Sequence, residues 1–294
     1  MGRAFGASVA ESLGKAGSMI DGHTKLAGVM GWPVEHSRSP MMHNHWCRVN
    51  GVNGAYVPLP TRPEGFDQAL RGLAAAGFQG VNVTIPHKEA AMRACDELTP
   101  TAKRAGAVNT ICFVAGRIIG DCTDGTGFCD NLSAHDVAIA GRALILGAGG
   151  AARAVAAALL DRGCEVVIAN RTLERAEALV EALGGGEAVA WYEWPSLLSG
   201  CSLLVNATSM GMGGKPGMDW DSALREAAPG LCVTDIVYTP RETPLLLAAQ
   251  ARGLRTVDGL GMLVHQARAG FRAWFGVDPE ADRTTFDLLA ASLR

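Results

Sequence analysis

The chain has 294 residues, of which 48% are hydrophobic and 19% charged, with a formal net charge of −3. That length suits two domains of ordinary size, and the composition supplies a substantial core while excluding disorder, collagen-like repeats and coiled coils. The small negative charge gives no basic field for a nucleic-acid backbone or an anionic membrane, so neither partner is expected. The 37 glycines follow no Gly-X-Y period and belong at turns and close backbone approaches.

Along the chain, short β-rich runs alternate with alanine-rich helical patterns, which predicts an α/β protein built of βαβ units with parallel sheets. Residues 1–23 are expected to be a flexible extension. The first half then reads as strand 25–30, helix 40–49, strand 55–59, helix 66–76, strand 80–84 and helix 87–97. The second half restarts with strand 143–146, helix 151–162, strand 165–169 and helix 173–183, followed by strands 203–206 and 233–237. Helices at 244–252 and 260–275 close the pattern, the first opened by Thr243 as N-cap with Pro244 behind it.

Eight cysteines are dispersed without any CxxC pair, which argues against a zinc site or a disulfide framework and for reduced thiols. His43 and His45 form an H-x-H, but no zinc-type spacing accompanies it, so no metal is expected. The longest apolar stretch, residues 143–160, is interrupted by glycines and Arg153 and is short for a bilayer span. The expected location is the cytoplasm.

The strongest local signal is strand 143–146 running into Gly147-Ala148-Gly149-Gly150-Ala151-Ala152 and then a helix. This is the G-x-G-x-x-G/A dinucleotide fingerprint in its strand-turn-helix setting, where glycines let the backbone approach a pyrophosphate at the helix N-terminus. About 20 residues on, an NAD site usually carries a carboxylate for the ribose 2′-hydroxyl. Here Asn170, Arg171 and Thr172 stand instead, with Arg175 a turn later. Loss of the carboxylate removes repulsion against a 2′-phosphate, and Arg171 with Arg175 can pair with it, while Thr172 is placed to cap the next helix. NADP is therefore the expected cofactor.

In the first half, Asn82-Val83-Thr84-Ile85-Pro86-His87-Lys88 ends a strand and places Lys88 in the first turn of a helix, where the dipole works against its charge. Around it stand Ser37-Arg38-Ser39-Pro40, Gly106-Ala107-Val108-Asn109-Thr110, Gly120-Asp121-Cys122-Thr123-Asp124-Gly125, Tyr238-Thr239-Pro240 and Gly259-Leu260-Gly261-Met262-Leu263-Val264-His265-Gln266-Ala267. With the Asn170-Arg171-Thr172 and Asn206-Ala207-Thr208 segments, these closely resemble the shikimate dehydrogenase family in order and approximate spacing from Lys25 to the C-terminus.

The resemblance implies an N-terminal α/β substrate-binding domain plus a Rossmann-like doubly wound dinucleotide-binding domain, with the last helices returning to the first. The expected boundaries are residues 24–123 with 264–294 for the substrate half and 124–263 for the NADP half. It implies reversible hydride transfer between shikimate and 3-dehydroshikimate, with the small-molecule substrate as partner and a monomer or homodimer. By motif position Ser37 and Ser39 hold the substrate carboxylate, and Asn82, Thr84, Asn109, Tyr238 and Gln266 bind the carboxylate or ring hydroxyls. Lys88 and Asp124 form the catalytic pair. Gly147, Ala148, Gly149, Gly150 and Ala151 with Asn170, Arg171, Thr172, Arg175 and Thr208 serve the cofactor, and Gly261 and Met262 lie near the nicotinamide.

Those residue types suit the chemistry, since a secondary alcohol losing hydride needs a base for its hydroxyl proton and the reverse reaction needs an acid. Dipole, burial and cofactor charge push the Lys88 pKa down while Asp124 pulls it up, which leaves the net direction open. Arg38, His45-Trp46 and Cys122 depart from the family's usual residues without touching the catalytic pair. Two alternatives stand beside this reading: a quinate/shikimate dehydrogenase using NAD or both cofactors, and a catalytically silent NADP(H)-binding sensor, whose mark would be loss of Lys88 or Asp124.

Overall fold

The computed structural model describes residues 20–215 and 217–293. The expected flexible extension lies outside the described residues as far as residue 19. From Asp21 the chain is tied down, because its carboxylate accepts from His23 N at 2.8 Å and from Asn53 Nδ2 at 2.9 Å.

Two six-stranded sheets organise the chain. The first is built from β1 (Lys25–Gly31), α1 (Ser39–Val49), β2 (Gly54–Pro60), α2 (Phe66–Ala75), β3 (Gly80–Val83), α3 (Lys88–Ala94), β4 (Glu97–Leu98), α4 (Pro100–Ala105), β5 (Thr110–Val114) and β6 (Arg117–Asp121). Its strand order is β2-β1-β3-β5-β6-β4. The expected parallel pairing holds for β1 with β2 and β3 and for β4 with β6, but β5 runs antiparallel to both β3 and β6. For β5 and β6 the cause is the connection Ala115-Gly116, with φ of 50° and 77°. Two left-handed residues make a hairpin turn, which joins only antiparallel neighbours. The helix expected over 87–97 is also shorter, because Cys95 turns extended and Glu97–Leu98 pairs with β6.

The second sheet follows a connecting helix, α5 (Asp124–Ala134). It comprises β7 (Arg142–Leu146), α6 (Gly150–Leu160), β8 (Glu165–Asn170), α7 (Leu173–Leu183), β9 (Glu187–Ala190), α8 (Trp194–Leu197), β10 (Leu203–Asn206), α9 (Trp220–Ala223), β11 (Cys232–Asp235), α10 (Pro244–Ala251) and β12 (Arg255–Val257). All pairings are parallel, in the order β12-β11-β10-β7-β8-β9. Counted within this sheet the order is that of a doubly wound dinucleotide fold, whose chain reverses direction between β7 and β10 and opens a crevice at their C-terminal ends. The central strands are buried on both faces, which explains their unbroken apolar runs: Ala143, Ile145 and Val205 face one core, and Leu144, Leu146 and Leu204 the other.

The chain then returns to the first sheet through α11 (Leu260–Phe275) and α12 (Arg283–Ala291). Val264, Phe271 and Trp274 share a buried cluster with Val29, Trp46 and Tyr56. Trp274 Nε1 donates to Ile111 O at 3.0 Å across Gly80, where a Cβ would lie 2.2 Å from that nitrogen. Met262, on the same helix, packs instead with the core of the second sheet, so α11 spans the seam between the two halves. Thr243 caps α10 as expected, accepting from Leu246 N. Thr172 stands at the N-cap position of α7, but its side chain makes no capping bond there, in contrast to the expectation. Among the described residues no helix is long and apolar enough to cross a membrane.

Candidate active site

A cavity of about 430 Å³ opens between the two sheets. From the first sheet come Ser37 and Ser39 at the start of α1, Asn82 and Thr84 at the end of β3, Lys88 at the start of α3, and Asn109 just before β5. Asp124 opens α5. Opposite them stand Ala151 from the glycine-rich turn, Tyr238 after β11, and Met262 and Gln266 on α11. Segments far apart in sequence thus converge because strand C-termini and helix N-termini of both sheets face the same gap.

Lys88 Nζ donates to Asp124 Oδ2 at 2.5 Å, with the lysine side chain 26% exposed and the aspartate 11%. Burial pushes the Lys88 pKa down, but the charge and hydrogen bond of Asp124, aided by Cys122, outweigh it and leave the lysine above its ordinary value. The direction left open by sequence is therefore upward, and Lys88 is protonated at neutral pH. The neighbouring Cys122 thiol is pushed up to about 12 by burial and then by Asp124, so it stays neutral and offers no competing base.

The other Asp124 oxygen is fixed from behind. Asn109 Nδ2 donates to Asp124 Oδ1 at 2.7 Å and lies 3.3 Å from Gln266 Oε1, while Asn109 Oδ1 accepts from Thr123 N at 2.9 Å. Asn82 uses Nδ2 on Asn109 O and Thr110 Oγ1, both at 3.1 Å. Its Oδ1 accepts from Tyr56 OH at 2.7 Å. Tyr56, 1% exposed, was not indicated by the sequence motifs. Its ring stacks on His43 at 4.0 Å between centroids. Tyr238 is kept protonated by burial, partly opposed by Arg38, so it remains a donor. Trp32 and Ile85 add an apolar lip; Ile85 falls within the 82–88 segment without having been named for the site, and Trp32 lies outside every motif.

The remaining residues named for the cofactor lie outside that cavity, Gly261 on α11 and the others along the C-terminal edge of the second sheet. Gly147, φ 107°, needs glycine both for its left-handed backbone and because a Cβ would come 3.1 Å from Ala207 O and Thr208 Cγ2. Ala148 follows it, and Gly149 and Gly150 open α6 with nothing within 4 Å of a Cβ, which leaves the first-turn N–H groups free to face a ligand. Asn170 ends β8 and donates to Thr172 O at 2.8 Å. Arg171 and Arg175 are exposed and form no ion pair among the described residues. An uncovered helix N-terminus beside two unpaired guanidiniums and no strand-end carboxylate fits a dinucleotide carrying a 2′-phosphate. Gly261 presents its backbone to Asn131, whose Oδ1 would sit 1.8 Å from a Cβ there. No group of three metal-binding side chains occurs among the described residues.

A doubly wound sheet with this glycine-rich turn, facing a lysine–aspartate pair across a cleft, defines a two-part α/β NADP-dependent oxidoreductase. Residues 29–111 match the shikimate dehydrogenase substrate binding domain, 133–213 the shikimate / quinate 5-dehydrogenase family and 259–284 the shikimate 5′-dehydrogenase C-terminal domain. The chain is 96% identical over 276 residues to shikimate dehydrogenase (NADP(+)) of Gluconobacter oxydans strain 621H, covering 94% of this chain and 99% of that protein. It is 55% identical over 274 residues to the Rhodospirillum rubrum protein of the same name, covering 90% and 96%. A crystal structure of shikimate 5-dehydrogenase from Thermus thermophilus in complex with NADP(H) and shikimate superposes with a TM-score of 0.82 at 38% identity, over 92% of this chain and 100% of that one. The chain belongs to the shikimate dehydrogenase family.

Proposed function

We propose that this protein is an NADP-dependent shikimate 3-dehydrogenase that interconverts shikimate and 3-dehydroshikimate. The carrying observation is that the Lys88–Asp124 pair, the paired serines of α1 and Ala151 of the glycine-rich turn all open on one cavity. The reading extends to a place in the shikimate pathway of aromatic amino-acid biosynthesis and to the cytoplasm. It includes a substrate half of residues 24–123 with 264–294 and a nucleotide half of 124–263, in keeping with the separate cores beneath the two sheets.

When bound, NADP supplies the hydride acceptor in one direction and the donor in the other. Gly149, Gly150 and Ala151 hold its pyrophosphate, Arg171 and Arg175 its 2′-phosphate, with Ala148, Asn170, Thr172 and Thr208 shaping the path between. Met262, beside Gly261, borders the reacting end. Ser37 and Ser39 hold the substrate carboxylate at the start of α1, with the Tyr238 hydroxyl opposite. Thr84, Asn82, Asn109 and Gln266 engage the ring hydroxyls; Asn82, with both amide hydrogens used, can offer only its oxygen. Protonated Lys88 donates to the carbonyl oxygen during reduction, and neutral Lys88 takes the hydroxyl proton during oxidation. Asp124 orients the ammonium through Oδ2 while Asn109 holds its other oxygen.

The test is a comparison of steady-state rates for shikimate and quinate, each with NADP and NAD. Shikimate with NADP is expected to give the highest kcat/KM, because a site matched to one hydroxyl pattern leaves buried polar groups unpaired with another. Higher efficiency with quinate and NAD would overturn the assignment, and absence of turnover with every pair would favour a binding-only protein.

A further inference from the structure

One buried carboxylate lies outside the catalytic pair. Asp235 ends β11, is 0% exposed, and has no cation against it among the described residues. Its surroundings are all donors. Asn206 Nδ2 sits 3.0 Å from both carboxylate oxygens, Val237 N donates to Oδ1 at 2.9 Å and Thr243 Oγ1 to Oδ2 at 2.8 Å. Burial raises its pKa, and these same donors pull the other way. An uncompensated buried carboxylate is costly unless its hydrogen bonds are worth holding.

Two of those donors lead to different walls of the cleft and the third to a neighbouring helix. Asn206 ends β10, and its Oδ1 accepts from Thr208 N at 3.1 Å and Thr208 Oγ1 at 2.7 Å. Thr208 in turn places its methyl 3.1 Å from where a Cβ on Gly147 would stand, at the first glycine of the fingerprint turn. Val237 N fixes the backbone between Ile236 and Tyr238, both of which line the substrate cavity. The Asp235 and Ile236 carbonyls also back onto Gly259, where a Cβ would meet them at 2.8 and 2.5 Å. Thr243 anchors the whole to the N-terminus of α10.

We propose that Asp235 is a positioning residue that ties the glycine-rich cofactor turn, through Asn206 and Thr208, to the Ile236–Tyr238 wall of the substrate cavity, so that occupancy of one site orders the other. A carboxylate is required because Asn206 Nδ2 faces both oxygens: in either orientation an asparagine would set its own NH2 against that donor, and also against Val237 N or Thr243 Oγ1. This role rests on the proposed NADP and shikimate sites.

The test is NADPH binding with and without saturating shikimate, a pair that cannot react because both are reduced. Wild-type turnover of shikimate with NADP is measured first, so that failure of the functional assignment is seen separately. In the wild type, shikimate is expected to tighten NADPH binding. In Asp235→Asn the NADPH Kd is expected to rise about tenfold and the tightening factor to fall to near one. Thr243→Val, which frees one Asp235 oxygen and also removes the α10 cap, is expected to reduce that factor about threefold and serves if Asp235→Asn does not fold. A lowered melting temperature with an unchanged tightening factor would mean a merely structural carboxylate and would overturn the proposal. So would a wild type without coupling, or Thr243→Val with wild-type coupling.

Discussion

Lys88 and Asp124 are joined by a 2.5 Å hydrogen bond in the cleft between the two sheets, each at the first position of its own helix. The pair is held from the far side by Asn109, so the carboxylate keeps one face for the lysine without freedom to rotate away. The net effect raises the lysine pKa, and this sets the expected pH behaviour.

For alcohol oxidation the active form is neutral Lys88. kcat/KM is expected to rise about tenfold per pH unit from neutrality and to be still rising at pH about 10. For ketone reduction the active form is protonated, so the profile is flat over the same range. Asp124→Asn removes the main influence holding the proton on and is expected to move the oxidation inflection to lower pH. An unmoved or higher inflection in that variant would count against the pairing.

Arg171→Ala is expected to raise KM for NADP about tenfold while leaving NAD unaffected, the exposed position limiting the size of the effect. Parallel titrations with the two cofactors check it. Equal losses for both would mean that the guanidinium does not read the 2′-phosphate.

Tyr56→Phe strips from Asn82 Oδ1 its one donor among the described residues. KM for shikimate is expected to rise about fivefold with kcat changed by less than about twofold, together with a stability loss of about 1 kcal/mol. A collapse in kcat at unchanged KM would place Tyr56 in the chemical step instead.

His43 is wholly buried among Trp46, Tyr56, Phe271 and Trp274, with neither ring nitrogen hydrogen-bonded. Burial lowers its pKa from 6.5 to about 3. The unfolded chain therefore binds the proton first as pH falls. Its contribution is constant above pH 6.5 and costs about a factor of ten in the folding constant per pH unit from 6.5 down to about 3. Denaturant titrations across that window are expected to show a shallower acid loss for His43→Phe than for the wild type. Parallel curves would show that His43 is not titrating.

What could be read from the sequence follows from how local each signal is. Strand β7, the glycine-rich turn and α6 were legible because fingerprint, apolar run and helix adjoin, and helices 173–183 and 260–275 carry their full periodicity. The β5–β6 hairpin was not, since its turn uses Ala115 at a positive φ rather than the usual Asn-Gly. Helix α5 was hidden by Gly125 and Gly127, which lower helix propensity but let α5 pack closely: a Cβ on Gly125 would meet Ala154 O, and one on Gly127 would meet Gln266. Tyr56 and Asp235 carry no motif. Asn82 and Asn206 are brought to them only by strand order, and His43 and Thr243 by the packing of the adjoining helices.

The most direct test of the central claim is Lys88→Ala, assayed for turnover of shikimate with NADP and for NADPH binding by fluorescence. Turnover is expected to fall by about three orders of magnitude with NADPH binding within about twofold of the wild type. Near-normal turnover in a folded Lys88→Ala protein would contradict the assignment of Lys88 as the group that moves the proton.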